Sequence, residues 1–292
     1  MLTIIRRTLK IHSRNRSGIL FSLLAVFLVF LICVVFMQNN LVDSVMREAP
    51  QADKDNVAWL VACWVMAGLV SITPITTSCG ILVYMVTDRA DKVIKDFKSS
   101  PLKKYDYPMA MVISSVIFSF LITMVLYIGY GVYVCASNNH WFTASQWALG
   151  AALVLLISLA SSCVNGCLLC RCKSLGAFTS YSTVLGTAIG FFNGIYVPLG
   201  ALPVVIRRII QVLPFGGASA VLRTILCKDS LAAVFEHAPE QAVANFREYF
   251  GIDYVIGGTK IPNLYLLLYM MVFGLIGFIL FMTWFNSKQE EY

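Results

Sequence analysis

Four cysteines crowd one stretch of this sequence: Cys163, Cys167, Cys170 and Cys172. The first three fall at i, i+4 and i+7, on one face of a helix. Thiols so placed could hold a metal, but a zinc site would draw Cys or His from a second segment at suitable spacing, and none is evident. Palmitoylation beside Arg171 and Lys173 is a second reading. Inert packing is the favoured one, because most of the nine cysteines lie in apolar runs and behave as small hydrophobes. His12, His140 and His237 stand singly and read as structural. Ser71, Thr73, Thr76, Thr77 and Ser78 surround Pro74. Their hydroxyls could satisfy backbone groups freed by the proline, or line a substrate path. No GxxxxGK[ST] loop occurs, so ATP is not bound by that route. GxSxG, HExxH and aspartate-rich prenyl-diphosphate motifs are also absent.

The elements that must position these residues are apolar. Of 292 residues, 59% are hydrophobic and 13% charged, against about 25% charged in ordinary soluble domains. A soluble fold of this size would lack the polar residues to cover itself, and a disordered chain needs the opposite composition. The sequence therefore predicts an all-α, multi-pass membrane protein, one transmembrane domain over 1–292. A span needs about 20 apolar residues. Six runs qualify: 18–37, 57–87, 109–136, 147–170, 174–197 and 263–285. The first is too long for a signal-peptide core and is read as retained. None holds a charged residue, which argues against a proton- or cation-coupled transporter.

The net charge of +7 bears on topology and calls for no nucleic acid. With the termini in the cytoplasm, inner segments hold 14 Lys/Arg and the short outer loops 38–56 and 137–146 hold two, Arg47 and Lys54. That bias places a multi-pass protein in the cell membrane with both termini inside. Residues 1–17 set Leu2, Ile5 and Leu9 on one face among arginines, an amphipathic helix for the inner headgroup region. The segment 88–108 carries six basic and four acidic residues. Within it Val93, Ile94 and Phe97 form an apolar stripe at helical spacing, stopped by Pro101 and open to a partner's groove. Pro198, Pro203 and Pro214 break the outer segment into apolar fragments too short to span, which read as re-entrant or interfacial helices. A more soluble helix follows from Pro239 to Phe250. Gly186, Gly190 and Gly194 recur every four residues, a seam for close helix approach within the monomer or against a second copy. Asn165 and Asn193 lie deep in the spans and each needs a partner. A neighbouring helix is favoured over substrate.

Together these segments resemble a known family. DRADKVIKDFKSSPLKKYDYPMAMVIS, 88–114, is similar to the cytoplasmic coupling region of ABC-2-type permeases, with the turn Ser99-Ser100-Pro101-Leu102 leading into the third span. FFNGIYVPLGALPVVIRRIIQVLPFGGASAVLR, 191–223, resembles that family's fifth-span exit: Gly194, Tyr196, Pro198, Leu202-Pro203, Pro214 and a closing Arg223. RNRSGILFSLL, 14–24, resembles the basic approach to the first span. Leu213 stands where Asn is usual, and Asp88-Arg89 replaces a Glu-rich start.

The resemblance implies a permease subunit without cofactor of its own. Two copies, identical or not, would work with two ATPase subunits that bind ATP and Mg, in an exporter of drugs, antibiotics, toxins or lipids. It implies coupling through Asp88, Arg89, Val93, Ile94, Phe97 and Pro101. The expected substrate path or dimer seam is Thr73, Thr76, Thr77, Gly186, Gly190, Asn193 and Gly194. An amphipathic substrate fits spans that offer hydroxyls, amides and aromatics but no fixed charge. Two rivals remain: an integral membrane enzyme, which the missing catalytic constellation disfavours, and a structural or immunity membrane protein that transports nothing.

Overall fold

The computed structural model describes residues 1–33, 38–48, 52–99, 102–195, 197–256 and 258–287. Pro101 and Tyr196 lie outside these, as do residues 34–37 of the first apolar run. Along the chain run α1 (Leu2–Arg14), α2 (Arg16–Ile32), α3 (Gln38–Glu48), α4 (Lys54–Ala90), α5 (Ile94–Ser99), α6 (Asp106–Asn138) and α7 (Ala144–Leu169). Then come α8 (Leu175–Phe192), α9 (Val204–Val212), α10 (Pro214–Leu226), α11 (Lys228–Val234), α12 (Glu240–Tyr249), the hairpin β1 (Tyr254–Ile256) and β2 (Thr259–Ile261), and α13 (Asn263–Ser287).

Among the described residues four helices are long and apolar enough to cross a membrane: α4, α6, α7 and α13. They match four of the six expected runs. The other two runs yield α2, of 17 residues, and α8, of 18. At 1.5 Å per residue α8 is about 27 Å long, slightly short of a bilayer's roughly 30 Å hydrocarbon core; the run of α2 continues into residues 34–37, outside the described ones. α8 stops before the expected end at 197 because Gly194 takes a left-handed φ of +64°, a helix-terminating conformation that suits glycine.

Burial ranks the helices. The most apolar stretch of α4 is 89% buried, that of α13 only 28%. α4 is therefore the axis, with α6, α7, α8 and α10 packed around it. Pro74 sits inside α4 without ending it, and from α7 Ser161 donates to Pro74 O and Asn165 to Ile75 O. α7 and α13 meet through small residues: a Cβ on Gly274 would lie 3.0 Å from Ala160 Cα, and one on Gly277 3.2 Å from Val164 Cα. Only glycine permits that approach.

The outer segment is a cap of short helices. α9 and α10 bend by 89° at Leu213, because Pro214 cannot continue the donor ladder and holds Leu213 extended. This is the broken pair expected from the prolines. α9 leaves Val204, Val205, Ile209 and Val212 exposed, as an interfacial helix would. α12 follows Pro239 as expected. Arg247 forks onto Asp253 with two 2.9 Å bonds and Lys260 joins at 2.6 Å, tying α12 to the hairpin. Burial alone would push the Asp253 carboxyl up, but these bonds outweigh it and hold it below its usual range.

Candidate functional site

Polar groups gather in three layers along α4. At the end reached by α1, Arg7 donates two 2.9 Å hydrogen bonds to Asp88, and Tyr107 donates a third to the same carboxylate at 2.9 Å. The Asp88 bond raises the affinity of Arg7 for its proton. Asp88 and Arg89 are thus not the start of a coupling helix but the buried last turn of α4. Arg89 donates to Cys170 O at 2.6 Å and Cys172 O at 3.1 Å, at the C-terminus of α7, and lies 5.3 Å from the Trp284 ring.

After Ala90 the chain turns sharply through Lys92, whose φ is +61°. α5 then has only six residues. Ile94 is buried and Val93 and Phe97 are half-buried, so the stripe expected to face a partner is largely covered by the chain itself. The physical reason is that so short a helix holds its shape only when packed. Phe97 lies 5.2 Å from the Tyr107 ring and 5.4 Å from the Arg7 guanidinium. Among the described residues Asp91, Lys92 and Asp96 face outward. α1 forms over the expected segment: Ile5 of the expected apolar face is buried and Leu9 packs against the core, with Ile4, Thr8 and His12 also buried, while Leu2 is exposed. Its contacts are to α6, α2 and α4, and the Arg7–Asp88 pair ties it to α4.

The middle layer is held by hydrogen bonds between helices. Thr73 donates to Leu69 O at 2.8 Å and Thr77 to Thr73 O at 2.7 Å, both buried; half-buried Thr76 shares Thr73 O at 3.0 Å. These hydroxyls serve their own helix, as hydroxyls beside an intrahelical proline can. Asn165 donates to Ile75 O and Ser78 Oγ and accepts from Tyr181, joining α4, α7 and α8. Asn193 donates to Ser71 Oγ at 2.7 Å. Both deep amides therefore engage neighbouring helices.

The glycine row divides. Gly190 is buried and Gly194 ends the helix, whereas a Cβ on Gly186 would meet nothing within 4 Å. Thr179, Ser180, Thr183 and Thr187 share the exposed side of α8, their hydroxyls bonded back to their own helix. In the cysteine cluster the Cys170 thiol donates to Cys167 O. No group of three or more His, Cys, Asp or Glu among the described residues could hold a metal.

The outer layer centres on Arg223, which is fully buried. Nη2 donates to Asn193 O at 3.0 Å and Gly194 O at 3.2 Å, and Nη1 reaches Phe250 O and Gly251 O at 3.4 Å. Its guanidinium lies 4.3 Å from the Trp64 ring, whose Nε1 donates to Phe250 O at 2.8 Å. The carbonyls belong to the C-terminal ends of α8 and α12, where helix dipoles favour a cation. Gly251, at φ +63°, leaves room: a Cβ there would stand 3.3 Å from Nη1 and 2.6 Å from Leu199. Of this layer the sequence singles out Asn193, Gly194 and Arg223. The cage around it, and the Arg7 and Tyr107 bonds to Asp88, were missed; a lone charge in the apolar run 214–226 and the Gly274/Gly277 pair were the available signals.

A bundle of apolar helices around a buried axis, with a short charged helix at one end and a cap of broken helices at the other, is a multi-pass membrane protein. More narrowly, the chain belongs to the ABC-2 type transporter family, whose family model matches residues 1–227. No curated protein matches it.

Proposed function

We propose that this chain is the permease half of an ATP-driven exporter, moving an amphipathic or lipid-like compound such as a drug, antibiotic or toxin out of the cell. Two permease copies work with two ATPase subunits, which bind ATP and Mg. The chain spans the cell membrane with both termini in the cytoplasm, the side favoured by its basic residues. The observation that carries this reading is the linkage at the end of α4. Phe97 of α5 rests on Tyr107 of α6 and Arg7 of α1, and both bond to Asp88 of α4. A push on α5 therefore reaches three helices through contacts already made.

Coupling is assigned to Asp88, Arg89, Val93, Ile94 and Phe97, joined by Asp91, Lys92 and Asp96. Asp91, Lys92 and Asp96 meet the ATPase, whose complementary charge fixes register. Phe97, Ile94 and Val93 carry the movement inward, and Asp88 and Arg89 receive it. The exposed small-residue face of α8 around Gly186 is assigned to the second copy.

Co-expression with candidate ABC ATPase subunits from the same genome tests the reading. The two should co-purify, and reconstituted vesicles should hydrolyse ATP and move a fluorescent amphiphile only when both are present. Transport by the chain alone, or no association with any ATPase, refutes it.

A further inference from the structure

Away from the three polar layers, a cavity of about 400 Å³ opens between α2 and α6. Phe27 and Phe30 form its α2 wall and Val125, Gly129, Tyr130 and Tyr133 lie along the facing side of α6. Phe30 meets Tyr130 edge-on at 4.5 Å and Tyr133 at 5.6 Å, so the wall is a fixed aromatic cluster. Gly129 leaves the floor open: a Cβ there would meet nothing within 4 Å. Val125, 64% exposed, stands at the mouth.

We propose that this cavity binds one acyl chain of an amphiphile in the outer leaflet. Depth supports the leaflet. Residues 122–133 occupy the half of α6 nearer Asn138, which is the outer half when the termini are cytoplasmic; on that point the inference rests on the function proposed above. Chemistry supports the chain. Among the described residues the lining carries no charge and only phenol hydroxyls as polar groups, and Tyr133 nears the headgroup level where tyrosines collect. Size excludes a partner helix: one turn about 10 Å across and 5.4 Å tall already fills roughly 400 Å³. The volume lies in the lower part of the roughly 300–1,000 Å³ range of small-molecule sites. An acyl chain restores the dispersion contacts that a void denies its walls.

Two sources present this chemistry, a bilayer phospholipid and a single-tailed amphiphile. The test is photolabelling of the purified full chain in vesicles, which needs neither ATPase nor transport, so its failure is distinct from failure of the exporter reading. One arm uses phosphatidylglycerol with a diazirine on one acyl chain, the other a diazirine-bearing fatty acid. Labelling should concentrate on the peptides holding Phe27–Phe30 and Val125–Tyr133. Gly129→Phe should reduce it roughly tenfold, and Val125→Trp, which blocks the mouth instead, should do the same. Ile117→Phe, exposed on the same helix two turns from Val125, should leave it unchanged. Labelling by the phospholipid assigns the chain to the bilayer; labelling by the fatty acid alone assigns it to a single-tailed ligand. Labelling spread evenly around α6, or indifferent to both cavity substitutions, overturns the proposal.

Discussion

Replacing Arg223 by methionine should loosen the outer cap from the spans, and the size of the effect can be worked from its contacts. The guanidinium makes two bonds of 3.0 and 3.2 Å and two weaker ones of 3.4 Å, all to carbonyls, and stacks on Trp64. Removing one member of a buried charged network costs about 3–5 kcal/mol, because the remaining groups stay buried without partners. The lower end applies, since the partners here are neutral and half of the bonds are long. Methionine also fills the space without the desolvation that the cation carries. The expected loss is about 3 kcal/mol, or roughly 6–9 °C in melting midpoint for a chain of this size. Seven of the nine free cysteines are buried, so a thiol-reactive dye reports unfolding directly in detergent. Arg223→Lys should fall between, because one ammonium cannot span the ends of both α8 and α12. A midpoint for Arg223→Met within about 2 °C of the parent, or full rescue by lysine, would refute the carbonyl cage.

Lys54→Cys should react with an impermeant maleimide from outside intact cells and Asp96→Cys should not; the reverse pattern overturns the topology. Asp88→Asn should cost about 1–2 kcal/mol, discounted because Arg7 is one-third exposed, and should uncouple transport from ATP hydrolysis while both partners still associate. Gly277→Leu should destabilise the chain by about 2 kcal/mol, as its side chain meets Val164 backbone. Gly186→Leu should leave the melting midpoint unchanged and weaken self-association alone, read by crosslinking in membranes. Burial lowers the His12 pKa from its ordinary 6.5, so the unfolded chain takes up a proton there that the folded chain resists. That contribution to stability is complete above pH 6.5 and fades as pH falls below it. Melting midpoints between about pH 8 and pH 5.5 should show the decline, and His12→Phe should flatten it.

The long elements were legible because a membrane imposes one rule on every span, an uninterrupted apolar run, and α4, α6, α7 and α13 obey it. Pro214 marked the bend between α9 and α10 for an equally local reason. What sequence could not show was cover. Phe97 looks available in a charged segment, and only the fold brings Tyr107 and Arg7 over it. Gly194 fitted a four-residue row, yet its backbone angle makes it a stop.

The charged residues hold the deeper lesson. A sequence search for pairs looks for acids opposite bases, and it can suspect Arg7 and Asp88, 81 positions apart. It has no means of finding the backbone carbonyls that Arg89 and Arg223 meet. Arg89 meets the C-terminal carbonyls of α7 and the face of Trp284; Arg223 meets those of α8 and α12 and the face of Trp64. The same arrangement therefore recurs at both ends of α4: a cation held by helix termini and an indole. Each terminus supplies about half a negative charge to its arginine. A cation held by helix ends keeps its place only while those helices keep theirs, so Arg89 is tied to the end of α7, and Arg223 ties the ends of α8 and α12 together.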